Sequence, residues 1–210
     1  METVTDRTSN PFGLRPPFDR SDEEAQVAAF GYGDANADFH VIGDHPAIHG
    51  GVTTGVPFTE SVAGAAIQDV LRHVGFVGGP RRRPTLENCY WSYVHMCTPP
   101  RGRSPTDAEY AELEPYFDAE LRAITAHVLL PVGDHATDHV LSEFTTQRNR
   151  LSIDLATLHA RELRGRGFMV VPVREPAAWE DGDREALCSR LESILDSDYR
   201  QTKGVATMVG

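Results

Sequence analysis

From residue 38 onward, four short and nearly continuous apolar runs alternate with stretches of helical period, and this alternation narrows the fold more than any other feature. The runs are "DFHVIG" (38–43), "NCYWSYVHM" (88–96), "HVLLPVG" (127–133) and "GFMVVPV" (167–173). A strand that is apolar on both faces needs cover on both faces, and βαβ crossovers supply it. Between and after the runs lie helical patterns over 60–76, 104–124, 134–144 and 183–197. The first closes on Gly75, and the second opens with Ser or Thr ahead of acidic first-turn residues. The expected fold class is therefore α/β: a three-layer α/β/α sandwich around a central four-stranded parallel sheet. In such sheets ligands bind beyond the carboxyl ends of the strands. The loops to inspect begin at Gly43, near Cys97, at Gly133 and at Pro172.

A chain of 210 residues suits one such domain. Residues 1–28 are polar and carry Pro11, Pro16 and Pro17, so they read as a surface arm; 29–200 form the domain and 201–210 a tail. The formal charge is −11, and of 20 basic residues only Lys203 is lysine. An acidic, lysine-poor surface suits a halophile's protein, because concentrated salt screens its self-repulsion. A GC-rich genome that spells arginine for lysine gives the same counts. No stretch reaches the length of a membrane span, and the start "METVTDRTSNPF" lacks a signal-peptide pattern, so a cytoplasmic protein is expected. Cys89, Cys97 and Cys188 form no C-x-x-C pair and read as reduced thiols.

The densest polar segment is "GDHPAIHGG" (43–51), directly after the first strand. With "GDHATDH" (133–139) it raises the possibility of a two-metal phosphoesterase. Pro46 disfavours a helix that would face His45 and His49 inward, H-E-x-x-H is absent, and Asp134 reads more simply as the cap of the following helix. No metal site is expected. The segment also lacks both the Walker and the dinucleotide glycine patterns. What remains is a rigid turn whose amides face a planar group, with Phe58 either filling the core or stacking on a base.

These segments together resemble the uracil-DNA glycosylase superfamily, nearest to its family 4. That family carries G-E-x-P-G and then G-x-P-F-V-G-x-A-G, and here stand "GDHPA" (43–47) and "GVPFTESVAG" (55–64). Its N-V-V-K-C-R-P-P-x-x-R-x-P-T frame is followed by "YVHMCTPPRGRSPT" (93–106), its P-Y-L-x-x-E-L by "PYFDAEL" (115–121), and its K-V-I-V-A-L-G by "HVLLPVG". The likeness runs from about 37 to 197.

The resemblance implies a base-excision hydrolase whose partner is DNA containing uracil or a damaged base, flipped out of the duplex while water attacks C1′. Asp44 and His45 take the catalytic place. Gly43, Pro46, Ala47, Phe58, Tyr93 and Glu175 line the base site, with Phe58 as the stacking ring. Read from the residues themselves, Arg101, Arg103 and Arg174 either grip phosphate close to the pocket or, in the "PPRGR" loop, form a solvated cluster, and Arg174 is expected to supply positive charge beside Glu175. The plainer reading of Asp44 is a carboxylate fastening its loop to nearby amides. A monomer with no membrane contact is expected.

The departures from the family pattern are as informative. Family 4 holds an iron-sulfur cluster on four cysteines, and here only Cys97 falls on such a position, with Leu113 at another. No cofactor is expected, apolar packing replacing the cluster. Tyr93 stands where the family has the uracil-contacting asparagine, and Glu175 stands where it has the histidine of H-P-S. A carboxylate opposes a departing uracil anion unless it is protonated. The alternative is therefore a relative that binds a base or damaged DNA without cutting it.

Overall fold

The computed structural model describes residues 3–4, 28–144, 154–164 and 167–200. The four expected strands are present as β3 (Phe39–Gly43), β6 (Cys89–Tyr93), β7 (Val128–Pro131) and β9 (Met169–Val170). They pair in parallel in the order β6-β3-β7-β9. Three antiparallel strands that the apolar pattern does not reveal extend this core to a seven-stranded sheet: β1 (Thr3–Val4) and β2 (Tyr32–Asp34) beyond β6, and β8 (Leu163–Arg164) beyond β9. They escape notice because edge strands this short carry little periodicity. A small hairpin, β4 (Val77–Gly78) with β5 (Thr85–Leu86), stands apart. Most of the expected arm and the whole tail lie outside the described residues.

The pleat sorts the core. Phe39 and Val41 of β3 face one apolar cluster, with Ile67, Val70 and Leu71 of α2 (Val62–His73) and Leu187, Leu191 and Ile194 of α6 (Asp183–Leu195). Ile42 faces the other, with Leu113, Phe117 and Leu121 of α3 (Asp107–Ile124) and Val140 and Leu141 of α4 (Asp134–Phe144). Alternate residues of one strand thus serve opposite helical layers, which is the three-layer sandwich.

Helix boundaries follow local chemistry. The α3 start is a full capping box, with the Thr106 side chain and Glu109 exchanging hydrogen bonds with each other's amides. Asp134 is the first residue of α4 rather than the cap before it; Gly133, at φ +85°, makes the turn. The expectation that Pro46 opposes a helix is corrected, since Pro46 opens the one-turn helix α1 (Pro46–His49). A first-turn proline lacks only an N–H that would have no partner there. A second one-turn helix, α5 (Leu155–Leu158), and a 3₁₀ turn at Pro176–Ala178 complete the described elements.

Candidate active site

The carboxyl end of β3 meets that of β6 tightly. A Cβ on Gly43 would lie 2.7 Å from Tyr93 Cε1 and 2.8 Å from His49 Nδ1, so only glycine fits between those rings. Beyond it the chain stays tied to β6, with Val94 and His95 amides donating to the carbonyls of Gly43 and Asp44. Pro46 is buried, while Ala47 faces solvent. Gly50 and Gly51 then turn the chain at φ +95° and +92°, and a side chain on Gly50 would strike the Thr59 carbonyl.

His49, fully buried, ends this turn with its ring folded back under it. The Asp44 N–H donates to His49 Nδ1 at 3.0 Å, and Nε2 lies 2.9 Å from Glu175 Oε2. A nitrogen that accepts from an amide carries no proton, so the ring is neutral and its one N–H, on Nε2, donates to Glu175. Phe58 lies 5.5 Å from the imidazole at 31°, and Tyr93 6.2 Å from it at 22°. The Tyr93 hydroxyl accepts from the Phe58 amide at 2.7 Å and donates to the Gly50 carbonyl at 2.9 Å. Burial pushes its phenol far up, so it remains a donor.

Phe58 is therefore not the open stacking ring that the resemblance implies. It is completely buried, with His49 and Tyr93 packed against it at tilted angles and Trp91 edge-on at 5.8 Å. It nevertheless borders the Gly43–His49 turn, as a wall of that site must.

Asp44 is half-buried and tied to α3 rather than to nearby amides, accepting from the Tyr110 hydroxyl at 2.6 Å. Burial, and then the Asp44 charge, push the Tyr110 phenol up. Its ring stacks on His135 at 3.7 Å. A cleft of about 240 Å³ opens there, lined by Val94, Asp107, Tyr110, His135 and Asp138 among others. His45 is 2% exposed, and neither ring nitrogen has a protein partner. Burial pulls it down to about 4, with the Asp44 charge opposing, so it is neutral at physiological pH.

Glu175 reaches His49 because Val173 bridges to Val132 and the Gly133 amide bonds the Val173 carbonyl, which brings the loops after β7 and β9 together. Its other oxygen, Oε1, is buried without a partner. Arg174 is adjacent in sequence but points elsewhere, to Asp183 at 3.2 Å and Glu180 at 3.0 Å. The expected cation beside Glu175 is thus engaged away from it. Arg103 is likewise held by Glu109 at 2.6 Å, and Arg101 lies on the exposed turn between β6 and α3.

The donors do not fit an iron-sulfur cluster. Cys97 and Leu113 are both fully buried in the apolar cluster on the α3 and α4 side, while Cys89 and Cys188 belong to the cluster on the opposite face. Among the described residues no three His, Cys, Asp or Glu side chains are grouped to hold a metal ion.

Comparison with known families decides the kinship. The sequence model of the family described as the uracil DNA glycosylase superfamily matches residues 30–191. The chain belongs to the uracil DNA glycosylase superfamily. Membership and the names of its relatives support a DNA glycosylase hydrolase. It is 23% identical over 174 residues to a type-4 uracil-DNA glycosylase of Saccharolobus solfataricus, covering 82% of this chain and 73% of the relative. It is 27% identical over 117 residues to a type-5 uracil-DNA glycosylase of Mycobacterium leprae, covering 53% of this chain and 51% of the relative. A Mycobacterium bovis type-5 relative is 28% identical over 102 residues, 47% of this chain and 38% of its own.

Within this superfamily fold, residues far apart in the sequence converge: Gly43, Asp44, Phe58, Tyr93 and Glu175 all border His49 or its hydrogen bonds. His49 and His135 stand out in the sequence only as metal candidates, and Tyr110 carries no signal there. No local signal foretells a contact spanning 126 residues, such as His49 with Glu175.

Proposed function

We propose that this chain is a divergent DNA glycosylase that hydrolyses the N-glycosidic bond of uracil or another deaminated base in DNA, working in concentrated salt. One observation carries the reading. A backbone amide at a strand end, Asp44 N–H, and an aromatic wall, Phe58, address the same planar ring, which here is an imidazole. That combination is what a flipped pyrimidine requires: a face to stack on and a donor for a carbonyl oxygen.

In the reaction the C1′–N bond breaks with its electron pair leaving on the base, and a water oxygen bonds C1′. The Asp44 carboxylate, held by Tyr110, orients that water and takes its proton. The Asp44 amide stabilises the departing anion as an oxyanion-hole donor does. Neutral His45 lies beside Asp44 without a partner, ready to contact base or sugar. Arg101, Arg103 and Arg174, once released from the contacts they make here, grip phosphates next to the site. A net charge of −11 leaves little long-range attraction for DNA. Apolar packing of Cys97 and Leu113 takes the place of a cluster, and the chain acts as a monomer.

A second reading, base binding without cleavage, is favoured by Glu175, which accepts from a neutral histidine while Arg174 is engaged elsewhere. The deciding assay incubates uracil-containing single- and double-stranded oligonucleotides in multi-molar KCl, followed by alkaline cleavage. Abasic sites made by the wild type and lost in Asp44→Asn support the enzyme. Release appearing only once Glu175→His and Tyr93→Asn are combined supports the binder.

A further inference from the structure

The ring held between Phe58, Tyr93, the Asp44 amide and Glu175 belongs to the protein itself. We infer that His49 is an internal occupant of the base slot, a built-in ring that must leave before a base can enter and so selects which bases do. The inference rests on the base-excision reading of the same site.

The geometry of its contacts defines the ligand class. The imidazole presents a lone pair to the Asp44 N–H and, from Nε2, an N–H to Glu175 Oε2. The two ring nitrogens face widely divergent directions, so free imidazole reproduces both contacts. Uracil carries its carbonyls and ring N–H groups on neighbouring positions and reproduces the first, a carbonyl oxygen taking the Asp44 N–H in place of the Nδ1 lone pair. Phe58 and Tyr93 form a fixed wall, because the Tyr93 hydroxyl is bonded to both the Phe58 amide and the Gly50 carbonyl. The mobile part is the occupant. His49 is the last residue of a four-residue helix and is followed by two glycines at positive φ. A single helical turn has little stability of its own, so its opening frees the ring while the Gly50 carbonyl stays bonded to the Tyr93 hydroxyl. Glu175, from the loop after β9, is the latch that holds the ring in place.

The occupied slot lowers apparent affinity for a free base by the fraction of time it is open. The test measures binding of free imidazole and free uracil to wild type and His49→Ala, by thermal shift and by amide chemical shifts. Both ligands should bind the variant, with uracil about tenfold or more tighter than to wild type. Equal affinity for the two proteins overturns the inference, as does a folded variant that binds neither ligand. If His49→Ala does not fold, Glu175→Ala decides. Its unlatched imidazole should react with diethylpyrocarbonate about tenfold faster than in wild type, and faster still with uracil present; an unchanged rate overturns the inference. Excision from DNA is scored separately. Free-base binding to His49→Ala without cleavage by any variant sinks the glycosylase reading and supports the internal occupant.

Discussion

The Asp44 amide and the His49 ring settle each other's state: a 3.0 Å hydrogen bond into Nδ1 leaves that nitrogen unprotonated and commits the ring's one N–H to Glu175. Nitrogen-15 spectra of His49 should therefore show the neutral Nε2–H tautomer at pH 7. An imidazolium signature would mean that the amide bond is not made and that His49 and Glu175 are an ion pair.

Tyr93 is the structural keystone of the slot wall. Tyr93→Phe removes an acceptor from the Phe58 amide and a donor from the Gly50 carbonyl, both buried. The expected loss is roughly 2–4 kcal/mol, because each deserted group keeps its desolvation cost. Denaturant unfolding of the two proteins measures it, and a loss below about 0.5 kcal/mol, the range of ordinary surface changes, would show the hydroxyl to be dispensable.

Tyr110 holds the Asp44 carboxylate, so Tyr110→Phe should lower excision of uracil while costing only about 1 kcal/mol of stability. Asp44→Asn keeps an acceptor for that hydroxyl and should unfold like wild type, yet lose at least about a hundredfold in rate if the carboxylate handles the proton. Single-turnover cleavage with matched denaturation curves separates the two effects.

Acid should destabilise the fold well before the carboxylates titrate. Burial draws His40 down to about 3 and His45 to about 4, both below the 6.5 of a free histidine. Between pH 6.5 and those values the unfolded chain binds more protons than the folded one, so stability falls as pH falls and is complete above 6.5. At pH 5 the loss is on the order of 1–2 kcal/mol for each histidine. Glu109, drawn down to about 2 by Arg103, adds a loss in the same direction below about pH 4.5. Melting temperatures across pH 4–8 at fixed salt test this, and His40→Gln should flatten part of the slope.

The amino end of β3 is tied to the chain's last described turn. Asp38 accepts from Tyr199 at 3.0 Å and from Arg200, with His127 2.9 Å away. Burial works against its charge, but these partners outweigh it and hold the carboxyl below its usual range. Asp38→Asn should cost about 1–3 kcal/mol and speed proteolysis near residue 200. Limited proteolysis under native conditions reads the second effect directly.

The parallel core was legible because its strands are continuous apolar runs and its helices carry the 3.6 period, signals that depend only on near neighbours. The capping box at Thr106 and Glu109 was legible for the same reason. The order of Gly43, Phe58, Tyr93 and Glu175 along the chain, read as a family likeness, named residues that the fold gathers around His49. It did not place Phe58 under cover, turn Arg174 toward Glu180 and Asp183, or seat His49 in the space between. Those facts depend on which distant groups share a hydrogen bond. Periodicity and capping are local and survive in one dimension, whereas the pairing of an imidazole with a carboxylate 126 residues away exists only once the sheet has brought two strand ends together.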